Sequence, residues 1–184
     1  MIEKRCGWCG DNPLYVKYHD EEWGKPVHDD GKLFEFLILE TNQAGLSWIT
    51  VLKKREAMRE AYCGFNPEKV AAFTEEDKRR LMSNPNIIRN GRKIDAAVRN
   101  AKRFLEIQKE FGSFDRYIWG FTDYKQIKNL PEKEFDVPAS TPLSEKISKD
   151  LIGRGFGFVG PVIVYSYMQA IGMVNDHVKD CSFA

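Results

Sequence analysis

The chain has 184 residues, enough for one sizeable core, and its 42% hydrophobic and 30% charged residues exclude a disordered segment. A net charge of +1 excludes a bulk electrostatic attraction to nucleic acid, so any such partner must be met by local clusters. The start, MIEKRCGW, has no apolar h-region, and no apolar run approaches the roughly 20 residues of a membrane helix. A cytoplasmic protein with no membrane partner is expected.

Residues 1–28 read as irregular, with turn signals at Gly10-Asp11-Asn12-Pro13 and Gly24-Lys25-Pro26. They nevertheless carry Cys6, Trp8, Cys9, Tyr15, Tyr18, His19 and Trp23, a high density of reactive and aromatic side chains. Asp29 or Asp30 caps a first clear helix to about Glu40, and a second runs from near Ser47 towards Tyr62. Asn66-Pro67 and Thr74 to Asp77 start two short helices. From Asn86, the spacing of Ile87, Ile94, Val98, Ala101 and Leu105 predicts one long amphipathic helix stopped by Gly112. Ser113 caps the next helix, and residues 122–142, broken by Pro131, Pro138 and Pro142, read as a surface excursion. Leu143, Ile147 and Leu151 mark a further helix, GRGFGFVGP a glycine-rich turn, and Pro161 opens an apolar helix that Gly172 ends. No β pattern stands out, so the expected class is all-α in a single domain, residues 1–184.

The stretch FEFLILETNQAGLSWITVLKKR, residues 34–55, holds the most pointed anomaly. Leu33, Phe34, Leu37 and Ile38 form a buried helical face, yet Glu40, Asn42 and Gln43 follow beside Gly45 and Trp48. A carboxylate at the inner end of an apolar helix is costly unless it meets a partner or a ligand. This reads as a pocket mouth, with Trp8, Tyr15, Tyr18 and Trp48 available to sandwich a planar ligand or simply to fill the core. Lys53, Lys54 and Arg55, then Arg89, Arg92 and Lys93, then Arg99, Lys102 and Arg103 are local basic clusters, each also readable as a solvated helix face.

Two further constellations stand out. Cys6 and His19 near one end, with His177 and Cys181 near the other, make a Cys₂His₂ set of the kind zinc prefers, closed and therefore structural. Spacing alone ranks this equally with unrelated buried side chains, because Cys9 makes a competing Cys-x-x-Cys pair with Cys6. In GFGFVG, glycines precede a helix whose N–H groups could receive a DNA phosphate, against the common alternative of a plain turn.

Together CGW, YHDEEWG, QAGLSWITVLKKR, GFGFVG and VNDHVKDC resemble the DNA-3-methyladenine glycosylase I family, within the helix-hairpin-helix superfamily of base-excision glycosylases. The resemblance is collinear over nearly the whole chain, least informative at residues 122–142. It implies an all-α helix-hairpin-helix fold that flips 3-methyladenine out of alkylated double-stranded DNA and hydrolyses its N-glycosidic bond; single-domain action on DNA requires no protein partner, so a monomer is expected. It implies one structural zinc ion on Cys6, His19, His177 and Cys181. It implies Glu40 as the base-recognising and catalytic carboxylate, with Trp8, Tyr15, Tyr18 and Trp48 lining the substrate pocket. Gln43, Gly45 and Leu46 fall on the segment that meets DNA and fills the gap, Gly157 and Gly160 on the hairpin that grips phosphate.

Two departures from the wider superfamily matter. Asn175 stands where relatives carry a catalytic Asp, and Pro161, Val162 and Ile163 stand where bifunctional members carry a Schiff-base Lys, so no lyase step is expected. Competing readings are a zinc-stabilised module that recognises alkylated DNA without cleaving it, a zinc hydrolase, and a helical scaffold. The intact set around Glu40 disfavours the first.

Overall fold

The structure is a computed structural model that describes residues 4–184. Nine α-helices occupy the described residues, and most of their starts are set by capping side chains. Helix α1 (Pro13–Glu21) corrects the expectation of an irregular N-terminus: Asn12 accepts the Leu14 N–H and Pro13 takes the first turn, so the Asn-Pro pair is a cap and not a loop. Helix α2 (Asp30–Gln43) starts where Asp29 accepts from Lys32 N and runs three residues past Glu40. Helix α3 (Trp48–Ala61) follows Ser47, and Asn66 caps α4 (Pro67–Ala71). A Thr74–Asp77 capping box opens α5 (Glu75–Ser83). The long helix α6 spans Gly91–Phe111 from an Asn90 cap to a left-handed Gly112, so Ile87 lies before it and not within it. Ser113 caps α7 (Phe114–Trp119), Thr141 caps α8 (Pro142–Gly153), and α9 spans Pro161–Ala170.

Helix α2 is the axis of the molecule. Every residue from Leu33 to Asn42 is buried, so it has no solvent face, and α3, α6, α7 and α9 pack around it. That environment makes its two internal carboxylates informative. Glu35 meets Arg55 at 2.7 Å and Arg59 at 2.7 Å, and Arg55 also forks onto Glu22. Glu40 meets neither a cation nor any other hydrogen-bond partner at Oε2.

The excursion at 122–142 also differs from expectation. Strand β1 (Ile127–Lys128) pairs in parallel with β2 (Val174–Asn175), and Asn129 N donates to Asn175 O at 3.1 Å. Two residues give no alternation to detect, so this backbone docking is invisible to periodicity. At the other side, Ser182 N donates to Lys4 O and Gly24 N to Gln169 O, which ties the N-terminal segment to the C-terminal one. No helix among the described residues is long and apolar enough to cross a membrane.

Candidate active site

The inner end of α2, the aromatic N-terminal segment and α9 enclose a cavity of ≈ 350 Å³, within the usual range for a small-molecule site. Glu40, Trp8, Tyr18, Trp48 and Gln43 all line it, as the sequence predicts. Trp8 and Tyr18 meet edge to face at 6.4 Å between centroids, and Tyr18 and Trp48 lie tilted at 5.2 Å. Three buried polar atoms of these walls have no partner: Trp8 Nε1, Trp48 Nε1 and Glu40 Oε2. Buried polar groups are almost always paired, so orphans gathered on one cavity mark where a ligand's polar edge belongs. Burial alone raises the Glu40 carboxyl to about 8.

Tyr15 is placed differently from the other rings. It does not line the cavity; its hydroxyl accepts the Ile49 N–H at 3.0 Å and its ring meets Trp8 edge-on at 5.6 Å. It therefore fixes the start of α3 and backs Trp8.

The turn after α2 presents Gly45 and Leu46 to solvent, and Gly45 has φ +76°, a conformation few side chains tolerate. Lys93 holds that turn: its buried Nζ donates to Asn42 O at 2.7 Å and Ala44 O at 2.6 Å, satisfying carbonyls at the helix end. Lys93 and Arg55, two members of the basic clusters, are thus spent inside the protein and removed from any surface footprint. The turn between α8 and α9 that carries Gly157 and Gly160 is gripped from α6, where Asn100 accepts from Gly157 N at 2.8 Å and donates to Gly157 O at 3.0 Å. Ser148 adds a bond to Val159 O at 2.7 Å.

Behind the cavity, the ligand atoms of Cys6, His19 and Cys181 lie within 4.8 Å of one another, all buried. His19 and His177 rings approach to 4.7 Å, and His177 Nε2 is buried without a partner. In both histidines Nδ1 is tied elsewhere, to Asp20 at 2.7 Å and to Asn175 at 2.8 Å; His19 Nε2 accepts the Cys6 N–H at 3.3 Å and lies 3.6 Å from Cys181 Sγ, whereas His177 Nε2 has no partner. Nδ1 tied in this way is the arrangement of metal-ligating histidines with oriented outer partners. Cys9 donates to Cys6 O at 3.0 Å and does not join the group. Three residues of the predicted set, Cys6, His19 and Cys181, thus form one buried donor group with His177 beside it, and Trp8 and Trp23 pack on the two histidines at 5.4 and 4.6 Å, so the cluster and the cavity share a wall.

Residues 8–184 match the family described as methyladenine glycosylase. The chain belongs to that family. It is 48% identical to DNA-3-methyladenine glycosylase 1 of Escherichia coli (strain K12), over 97% of this chain and 95% of that one. It is 47% identical to the DNA-3-methyladenine glycosylase of Haemophilus influenzae (strain ATCC 51907 / DSM 11121 / KW20 / Rd), over 96% of each. A solved structure concerned with 3-methyladenine recognition by 3-methyladenine DNA glycosylase I from Staphylococcus aureus superposes with a TM-score of 0.94 at 40% identity, covering 99% of this chain and 97% of the other.

Within this methyladenine glycosylase chain, sequence reasoning missed several residues of the cavity wall. Glu134 and Val137 come from the excursion at 122–142, where Glu134 Oε1 also accepts the Trp8 N–H at 3.0 Å. Ser166 and Gln169 come from α9, and Asp176 from the segment after β2. Ser166 and Gln169 carry a readable signal, since polar groups interrupt an otherwise apolar helix. Glu134 has none, because its position depends on the docking of β1 onto β2, a contact between segments far apart in the chain.

Proposed function

We propose that the chain is a monofunctional DNA repair glycosylase: it takes 3-methyladenine flipped out of alkylated duplex DNA and hydrolyses its N-glycosidic bond, leaving an abasic site. The observation that carries this reading is Glu40, a buried carboxylate with an unpartnered oxygen in an aromatic cavity sized for a small planar ligand. Names borne by relatives that match nearly end to end point the same way.

The chemistry follows from the walls. Adenine methylated at N3 is cationic in the nucleotide and leaves as a neutral base, so recognition must favour a flat cation. Electron-rich faces of Trp8, Tyr18 and Trp48 attract one, each by roughly 0.5–2 kcal/mol depending on desolvation. Glu40 adds the charge. In the empty cavity burial keeps it protonated up to about pH 8, and an entering cation is the neighbour that lowers its pKa and releases its proton. Once the bond breaks the base is neutral, that attraction ends, and Glu40 returns to its protonated state. The carboxylate then binds the lesion better than the product, so its charge serves recognition and product release more than bond breaking itself.

Around the cavity, Leu46 on the Gly45 turn would fill the space the nucleotide vacates, with Gln43 beside it, a use of apolar insertion seen in DNA-bending proteins. The amides of the Gly157–Gly160 hairpin would receive a backbone phosphate at the start of α9. Cys6, His19, His177 and Cys181 would hold one zinc ion in a closed site, whose role is to fix the termini behind Trp8 and Trp23. Burial first, with the Cys181 thiol adding, pushes Cys6 up to about 12, and a bound cation reverses that effect by stabilising the thiolate.

Base release from methylated duplex DNA tests the reading. The wild-type protein should liberate free 3-methyladenine and leave an uncut abasic strand, and Glu40→Gln should lower excision at sub-saturating DNA by at least about tenfold, the low end for a lost hydrogen bond to a charged group. Tight binding to alkylated DNA with no base released would defeat it.

A further inference from the structure

The two turns proposed to meet DNA, one carrying Gly45 and Leu46 and the other Gly157 and Gly160, both rest on helix α6. Lys93 Nζ donates to Asn42 O at 2.7 Å and to Ala44 O at 2.6 Å at the first turn. At the second, Asn100 bonds both the N–H and the C=O of Gly157, at 2.8 and 3.0 Å. Lys93 and Asn100 are seven residues apart in the sequence, so they share one face of α6 and stand two helical turns, roughly 10 Å, apart along its axis. Ala96 lies between them on that face. A Cβ added at Gly157 would come within 3.2 Å of the Ala96 Cβ, so glycine lets the second turn lie directly on the helix.

Lys93 is a costly way to finish α2. Gly45 and Leu46 are exposed, so water could satisfy the last carbonyls of that helix. An ammonium group from a distant part of the chain does so instead. Lys93 is buried, no carboxylate among the described residues meets it, and burial lowers its pKa. A buried cation without an anion is unfavourable, and its only return here is the negative end of the α2 dipole. What it supplies that water does not is a fixed position, because hydrogen bonds from a charged donor are short and strong. Asn100 fixes the other turn in orientation as well as distance, with both ends of its amide committed to a single residue. Between them α6 runs 21 residues without a proline, so the two attachments are joined by a stiff element.

We propose that α6 acts as a ruler that holds the Leu46 turn and the Gly157 turn at one separation, with Lys93 and Asn100 as positioning residues, so that apolar insertion and phosphate capture on duplex DNA occur as a single event. This inference rests on the glycosylase reading above. A phosphate gripped at the second turn then fixes where along the strand Leu46 enters, and neither Lys93 nor Asn100 touches the base. Their contribution belongs to extrusion of the nucleotide from the duplex. Recognition of the base once it is in the cavity does not depend on them.

A double-variant cycle read on two ligands tests this. Lys93→Met keeps the length of the side chain and deletes its donors. Single-turnover excision from methylated duplex DNA should fall at least about tenfold, the low end for a lost hydrogen bond to a charged group. Affinity for free 3-methyladenine, read by calorimetry, should be unchanged, and Asn100→Ala should show the same split. The double variant decides whether the two residues act as one. Sites this far apart ordinarily contribute independently, and the double variant would then lose the product of the two effects. A ruler released at one end has already lost its separation, so the double variant should lose little more than the worse of the two single variants. If Lys93→Met fails to fold, Leu46→Ala takes its place in the cycle with Asn100→Ala, and the second change should again be nearly silent. A multiplicative loss, wild-type excision by the single variants, or an equal fall in free-base affinity would overturn the proposal. Failure of the wild-type protein to release any base would instead overturn the glycosylase reading itself.

Discussion

Two neighbouring regions of this molecule contain buried polar atoms without partners, and they differ in how those atoms are supported. In the Cys/His cluster, each histidine is oriented through Nδ1 by Asp20 or Asn175, His19 Nε2 is met by Cys6 N and Cys181 Sγ, and His177 Nε2 alone remains open. In the cavity, Glu40 Oε2 and the Trp8 and Trp48 Nε1 atoms are open and Glu40 has no cationic neighbour. The first arrangement suits an occupant that arrives once and stays. The second keeps a standing electrostatic cost that a transient ligand relieves. Substitutions should therefore have opposite signs in the two regions: removing an open atom from the cluster destabilises, and removing one from the cavity does not.

The largest effect is expected in the cluster. His177→Ala or Cys181→Ser should abolish stoichiometric zinc, measured by metal analysis of the purified protein, and lower stability by roughly 3 kcal/mol or more, about 6–12 °C in Tm. Strong chelation of the wild-type protein should move Tm in the same direction. A wild-type protein that contains no zinc and melts unchanged in chelator would remove the contrast altogether.

How much of this contrast was legible in the sequence depends on where each residue's position is decided. Glu40, Trp8, Tyr18 and Trp48 were readable because an acid interrupting an apolar helix, and aromatics crowded near a terminus, are local anomalies. Caps at Asn66, Thr74 and Ser113 were equally local. Asn12-Pro13 carried the same signal, yet the surrounding turn residues obscured it and α1 was missed. Glu134, Asn129 and Asp176 were beyond reach for another reason: their roles depend on the two-residue pairing of β1 with β2, a contact made by tertiary docking and not by any repeat. Tyr15 shows the reverse error, a ring counted with the pocket that in fact supports it from behind through the Ile49 amide.

The second prediction concerns pH and stability at Glu40. Its folded-state pKa, about 8, lies above the ordinary value of 4.5 because of burial. The native state thus holds a proton that the unfolded chain releases, and the stability contributed by this group is complete below pH 4.5 and is lost as pH rises through 8. Between these limits the loss approaches about 1.4 kcal/mol per pH unit. Glu40→Gln removes the titration, so the difference in stability between variant and wild type should grow in the variant's favour from pH 5 to pH 8 and then level off. Urea titrations at pH 5, 6.5 and 8 measure it, and parallel profiles for the two proteins would show that Glu40 has a partner in solution.

The smallest effect is expected at Trp48, and it sharpens the comparison most because a single atom decides it. Trp48→Phe keeps a ring against Tyr18 and deletes the unpartnered Nε1–H. Deleting a hydrogen bond to a ligand costs about 1 kcal/mol, so affinity for free 3-methyladenine, read by calorimetry, should fall roughly fivefold. Stability should not fall with it. The lost ring area borders an existing cavity, so little packing is forfeited, and an unpaired buried donor worth about 1–3 kcal/mol is relieved. An unchanged or slightly raised Tm with weakened base binding would mark Nε1 as an atom kept for the ligand. A clear drop in Tm with unchanged affinity would instead make Trp48 core, and would move the cavity's polar edge to Trp8 and Glu40 alone.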